Sequence, residues 1–468
     1  MDPDISRIVA KLRQVRKRRP KSFGSRSHNF VLQKPYPEAR VQAFELQHGI
    51  SLPDAFRRFI LQAGATGAAP AYGLLPMEQW ARRPARLTRE CPMSPGLELT
   101  DEELASDHLK DRLEDRLEDG TIPIIHGGCS EFFLLIVTGP HRGRVIFFDG
   151  ENADRSCFSR DVDFLAWYER WLDELLAGWD VDRFSCGLPG DARKMIEVLS
   201  SPDSSTLDRV DALHTVRRIP KLDASLTQIV LRGLTDPEAK VRAACAWLTA
   251  QKKLSSAEPT LLALCADPEA PVRKAVLEAL YRLKSKAWPG QARRALRDSD
   301  ENVLYSMLLL SRVAGKFQLS RAELEPLVGG ASPRLRQMAV WVWGASGFKV
   351  SDAPWLEARL HDDDPGVRRE LIRAAVETRD KAAIPRLSQL PEWKPDQVGM
   401  FRLPSPWILR LLPFPCIILF FGMLVLLPIG VWAIISFAFG LAGVIILLKR
   451  GKKVVRPQTA ARVPKSRN

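Results

Sequence analysis

The chain of 468 residues lacks most of the signatures that mark common functional classes. Its seven cysteines, at 91, 129, 157, 186, 245, 265 and 416, form no CxxC pair and no regular spacing. The start, Met1-Asp2-Pro3-Asp4, lacks the apolar core of a secretory signal. An odd count without such a signal reads as reduced cytosolic thiols, mostly small buried residues. The seven histidines (28, 48, 108, 126, 141, 214 and 361) show no HxxxH and no Cys/His spacing suited to zinc. There is no Walker-type or dinucleotide glycine loop. The expectation is a protein with no cofactor, no metal and no catalytic residue, and so not an enzyme.

Two stretches carry residue types that could argue otherwise. His126-Gly127-Gly128-Cys129 places a base and a nucleophile in one stretch. Cys–His catalysis needs hydrogen-bond reach and a third, orienting group, which adjacent loop residues rarely provide, so a turn before a strand is the better reading. Asp362-Asp363-Asp364 resembles a calcium run, but Pro365 makes it the start of a repeat helix.

The formal charge of +14 is uneven. Residues 1–27 carry +7, residues 449–468 carry +8, residues 28–178 carry −8 and residues 179–448 carry +7. No aromatic interleaving in the tails supports a nucleic-acid stacking platform, so nucleic acid is disfavoured. The one long apolar run, Leu411–Leu448, holds 38 residues without a charge, interrupted by Pro428 and Gly430. A helix of that length is roughly 57 Å against a hydrocarbon core of about 30 Å. The expectation is a hairpin of two transmembrane helices. Arg402 and Arg410 before it, with Lys449, Arg450, Lys452, Lys453 and Arg456 after it, are the expected membrane-surface residues, facing anionic lipid. That predicts the bacterial inner (cytoplasmic) membrane, with the bulk of the chain and both termini cytoplasmic.

In residues 1–27, Ile5, Ile8, Val9, Leu12 and Val15 stand at helical spacing among basic residues. Either a lipid-touching interfacial helix or a solvated basic tail fits that pattern. Apolar periodicity predicts one or two helices over 36–65 and an acidic helix over 101–119, with nine acids and three bases. Strand signals follow at 121–125, 132–137 and 144–148, the last two joined by the turn 139–143. An aromatic-rich helix over 163–172 closes the region, so the order argues an α+β domain with an antiparallel sheet.

These motifs resemble the SUKH superfamily, the Smi/Knr cell-wall-regulator-like fold abundant among bacterial immunity proteins. The likeness rests on Gly49-Ile50-Ser51-Leu52-Pro53 running into Asp54-Ala55-Phe56-Arg57-Arg58-Phe59, and on Ile122-Pro123-Ile124 with Gly127-Gly128-Cys129. It continues through Leu135-Ile136-Val137-Thr138-Gly139 and Gly143-Arg144-Val145, then Cys157-Phe158 and Phe164-Leu165-Ala166-Trp167. It covers residues 28–178, with Ala63-Gly64 where the family commonly has Asn-Gly. The resemblance implies a domain that captures a toxin and blocks its site. Asp107, Asp111, Glu114, Asp115, Glu118 and Asp119 are then the expected partner-binding residues, since an acidic helix steers a basic partner.

Residues 188–390 are repetitive. Asp236-Pro237-Glu238-Ala239-Lys240-Val241-Arg242 recurs at Asp267–Arg273, and fainter copies start at Asp298, Ser332, Asp364 and Ser201. Asp or Ser is expected to cap each helix, with Pro in its first turn. A fixed period of this kind marks a solenoid, and the array resembles HEAT repeats, about six, in which the arginine commonly braces neighbours. The expected fold class is therefore multidomain: an α+β SUKH-like domain (28–178), an all-α HEAT-like solenoid (188–390), a linker (391–410), two transmembrane helices (411–448) and a basic tail (449–468). The expected partner is a protein, either a toxin or, if the repeat groove acts as a scaffold, an envelope-associated protein.

Overall fold

A computed structural model describes residues 1–95, 117, 119–150, 156–182, 184–314, 317–344 and 359–378. Residues 1–378 form one compact unit.

Helix α1 (Pro3–Arg18) begins on Asp2, whose carboxylate accepts from the Asp4 and Ile5 backbone, and closes with Arg16, Lys17 and Arg18 in its last turn. That arrangement complements the helix dipole at both ends. Ile5, Ile8, Leu12 and Val15 are buried, each contributing about 1.5–3 kcal/mol by leaving water. Their face packs on α4 (Phe164–Leu176), and the contact is edged by ion pairs from Arg7 to Glu169 (2.6 Å) and Lys11 to Asp173 (2.6 Å). The apolar stripe of the basic N-terminal segment is thus used inside the domain core and not on a lipid surface.

Helices α2 (Glu38–His48) and α3 (Asp54–Gln62) precede the sheet. Strands β1 (Thr121–Gly128), β2 (Glu131–Ile136), β3 (Val145–Asp149) and β4 (Cys157–Phe158) pair antiparallel in the order β1-β2-β3-β4. Phe133 opposite Phe147 and Leu135 opposite Val145 face the helices, while Leu134 opposite Ile146 and Phe132 opposite Phe148 face the other way. Both faces are apolar because Cys91, Met93 and Leu117 cover the second one. That is why the strands read as continuous runs and not as alternation. The free edge of β1 is guarded by the 67–75 segment, where the Leu75 N–H donates to the Ile124 carbonyl (2.8 Å) and Leu74 bridges Ile125.

The second half pairs short and long helices: α5 (Ala192–Ser200) with α6 (Thr206–Arg218), α7 (Ala224–Gly233) with α8 (Ala239–Gln251), and α9 (Glu258–Leu264) with α10 (Ala270–Arg282). The pairs α11 (Trp288–Ala295) with α12 (Glu301–Val313) and α13 (Arg321–Val328) with α14 (Pro333–Gly344) follow, and α15 (Pro365–Thr378) ends the described array. Long helices pack on long helices along the series.

An arginine ladder ties consecutive pairs. Arg242 reaches Asp267 through two bonds (2.8 and 2.9 Å), Arg273 reaches Asp298 (2.7 and 2.7 Å), and Arg336 reaches Asp362 (2.9 and 2.9 Å). Each guanidinium also donates to backbone carbonyls five and six residues before it, such as Asp236 and Pro237 for Arg242. This geometry corrects the expected caps at Asp236 and Asp267. Asp236 and Asp267 accept from the N–H two residues on, at Glu238 and Glu269, and the helices start at Ala239 and Ala270. Ser332 and Asp364 do cap their helices as expected, and the carboxylates of Asp191, Asp223 and Asp300 cap others in the array.

A buried ion network joins the two halves. Arg170 on α4 donates to Asp161 (2.6 Å) and Glu174 (3.2 Å), and Arg218 on α6 donates to Glu174 through two bonds (2.7 and 3.1 Å). Beside it, Arg160 pairs with Asp208 and lies 3.5 Å from Asp211. The expectation of wholly reduced cysteines is also corrected, since Cys157 of β4 is disulfide-bonded to Cys186, with their Cα atoms 5.5 Å apart. No spacing rule links those two positions in the sequence; only the return of the chain after α4 brings them together.

Among the described residues no helix is long and apolar enough to cross a membrane. The longest, α1, has 16 residues, about 24 Å at 1.5 Å per residue, and carries charged side chains along its length, from Asp4 to Arg18. The expected fold class is corrected accordingly: the described fold is an antiparallel α+β domain joined to a helical repeat array, and the transmembrane pair drops out of it. The inner-membrane location is corrected on the same ground. The run 411–448, with the linker 391–410 and tail 449–468, lies outside the described residues.

Candidate interaction site

Of the six expected partner-binding acids, only Asp119 is described. Its carboxylate lies 3.4 Å from Arg89 and 3.8 Å from Arg86, within its own domain. Asp107, Asp111, Glu114, Asp115 and Glu118 lie outside the described residues, as do the expected membrane-surface residues Arg402, Arg410, Lys449, Arg450, Lys452, Lys453 and Arg456. Asp362 is a ladder carboxylate, and Asp364 caps α15.

His126 and Cys129 flank the tip of the β1–β2 hairpin. Gly128 (φ 117°) and Cys129 (φ 43°) take left-handed conformations there, and the exposed Cys129 side chain stands free. A Cβ on Gly128 would meet the Phe23 ring at 3.3 Å, so glycine lets that ring close over the strand end. The His126 imidazole bonds the Cys129 backbone and not its thiol. Burial, with the Arg82 charge nearby, holds that imidazole below its ordinary range, and its ring packs between Tyr72 and Phe132.

From this tip runs a row of rings that sequence reasoning missed. Phe23 meets Tyr72 edge-on (5.3 Å between centroids), Tyr72 meets His126 (6.1 Å), and His126 meets Phe132, its cross-strand partner (4.8 Å). The Arg82 guanidinium sits 4.3 Å above Phe132 and ends the row. Phe23 and Tyr72 are 52% and 47% exposed, although most large apolar side chains here are buried. Tyrosine and arginine are the residue types enriched at binding hot spots, and rings lose little entropy when a partner covers them. The row draws on the N-terminal segment, the 67–75 loop and two strands, so no single motif announces it.

The layer of long helices carries a second set of such pairs. Arg217 stacks over Trp247 (5.1 Å), Arg334 over Tyr305 (4.1 Å), and Arg312 and Arg373 over Trp341 (5.2 and 5.7 Å). These contacts brace neighbouring long helices.

Two stretches of the compact unit match known families. Residues 35–170 match the SMI1 / KNR4 family (SUKH-1). Residues 226–308 match HEAT repeats. The matched SUKH-1 residues hold Tyr72, Arg82, His126 and Phe132 of the aromatic row, Phe23 preceding them, and both modules are consistent with a protein-interaction role. No curated protein matches the chain. Among solved structures, the Escherichia coli protein YibA is similar at 20% identity, covering 44% of this chain and 78% of its own, with a TM-score of 0.37. A designed armadillo repeat protein in complex with a (KR)4 peptide is similar at 16% identity, covering 40% and 99%, with a TM-score of 0.30.

Proposed function

We propose that this chain is a non-enzymatic protein-binding protein of the SUKH immunity type, which neutralises a toxin by holding it directly. The observation that carries the reading is the row Phe23–Tyr72–His126–Phe132, exposed at Phe23 and Tyr72, with Arg82 at its end. Covering two half-exposed rings and a stacked guanidinium releases ordered water and gains several kcal/mol without any catalytic group. The acids from Asp107 to Asp119 add steering of a basic partner. The test is co-purification of the full-length protein with a toxin encoded beside it, followed by Phe23→Ala and Tyr72→Ala. Each substitution should weaken binding by about 1–3 kcal/mol, as hot-spot truncations do. Unchanged affinity in the double variant would remove the row from the interface.

A scaffold reading is favoured by a separate observation, the arginine–aromatic pairs along the long helices. In that reading the repeat face takes the partner and the SUKH-1 domain recruits. Gln337→Glu and Arg369→Glu, both on exposed positions of that layer, would then weaken binding while Tyr72→Ala would not.

A further inference from the structure

Where the two modules meet, a cleft of about 650 Å³ opens between the end of α4, the ends of α6 and α8, the start of α7 and the segment after α1. Six cations line it: Lys21, Arg217, Arg218, Lys221, Lys252 and Lys253. Asp180 is the one acid in the lining; its carboxylate accepts from the Asp182 backbone, and its charge acts on Lys252. Some of this charge has a structural use. Arg218 is held by Glu174, and Lys252 donates to the Arg217 (2.6 Å) and Ile219 carbonyls, closing the end of α6. Lys21, Lys221 and Lys253 make no ion pair among the described residues, and each is exposed at the mouth.

Like charges gathered around one concavity repel, and the field is focused there because the walls are protein. Capping of helix ends accounts for one lysine but not for the other three. A compact anion with several charges matches what is left, and the cleft is of the size that takes a small ligand. Trp179, half-buried in the wall, offers a flat face for a base beside the cations.

We propose that this junction cleft binds a polyphosphate anion, either as the inorganic chain or as the tail of a nucleoside polyphosphate, through Lys21, Lys221 and Lys253. Binding there would bridge the segment after α1, the chain that follows α4 and the first repeat helices, all of which contribute to the wall. The site is independent of the aromatic row, so it stands or falls separately from the toxin-binding reading.

The test is calorimetric titration of the full-length protein with sodium tripolyphosphate and with ATP. Saturable binding that weakens with salt is expected for at least one of them. Lys221→Glu with Lys253→Glu should weaken it by about tenfold or more, as the loss of charge-assisted contacts does, while Lys286→Glu, exposed and outside the cleft, should leave it unchanged. Tighter binding of ATP, reduced by Trp179→Phe, assigns the nucleotide; equal binding assigns the inorganic chain. No binding of either at millimolar concentration, or equal weakening by Lys286→Glu, would overturn the proposal.

Discussion

The arginine ladder has a gap whose repair is predictable. Rungs link Arg242 to Asp267 and Arg273 to Asp298 at a spacing of 25 residues. In the next copy the arginine position is held by Leu304, buried on α12, and its counterpart 25 residues on is Gly329. Both partners are absent together, which costs little, whereas one alone leaves a charge uncompensated. Leu304→Arg should therefore destabilise the fold by about 2–4 kcal/mol, through lost burial and an unpaired guanidinium. Gly329→Asp alone should be nearly neutral, because Gly329 is exposed, has φ −85° and meets only the Glu325 carbonyl, at 3.5 Å from an added Cβ. The double variant should regain about 1–3 kcal/mol as a new bidentate rung. Urea denaturation of the four proteins gives the coupling directly. A coupling within about 0.5 kcal/mol of zero would refute the account of the ladder as a set of paired rungs.

Three further outcomes follow from named contacts. Glu174→Ala should cost about 3–5 kcal/mol, because it strips an acceptor from both Arg170 and Arg218 in a buried network; a loss under about 1 kcal/mol in denaturant midpoints would contradict that. Burial pushes the Asp211 carboxyl up to about 6, with Arg160 opposing and Asp208 adding to the rise. Its folded value lies above its unfolded one, so its stabilising contribution is full below about pH 4 and is lost as pH rises through about 6. Asp211→Asn should flatten that part of the Tm-against-pH profile, and an unchanged slope would count against it. Ile8→Asp should detach α1 from α4 and lower stability by about 3 kcal/mol or more, read as a drop in Tm together with exposure of the N-terminal segment to protease.

The sequence made some of this legible for clear physical reasons. The runs 132–137 and 144–148 announced two strands because β-branched and aromatic residues crowd them, and the period of 31 residues announced the repeats. Their register was harder to read. Ser332 and Asp364 sit four residues before an arginine while Asp236 and Asp267 sit six before, so one motif covered two roles, cap and rung. Strand β4 is two residues long and has no periodicity to detect. The stripe Ile5–Val15 was visible, but amphipathicity alone does not tell a core from a lipid surface. The aromatic row stayed hidden because Phe23, Tyr72, Arg82 and Phe132 are far apart in the chain. The long apolar run at 411–448 drew an expectation of membrane helices from composition alone, and the described residues contain no helix that fits it.

The most direct measurement of the central claim is the affinity of the full-length protein for a toxin encoded beside it, compared with that of Phe23→Ala/Tyr72→Ala. The account predicts a tight complex for the parent and a loss of about 2 kcal/mol or more, roughly thirtyfold, in the double variant with its thermal stability kept. Absence of any complex with the parent, or the same affinity in both proteins, would contradict it.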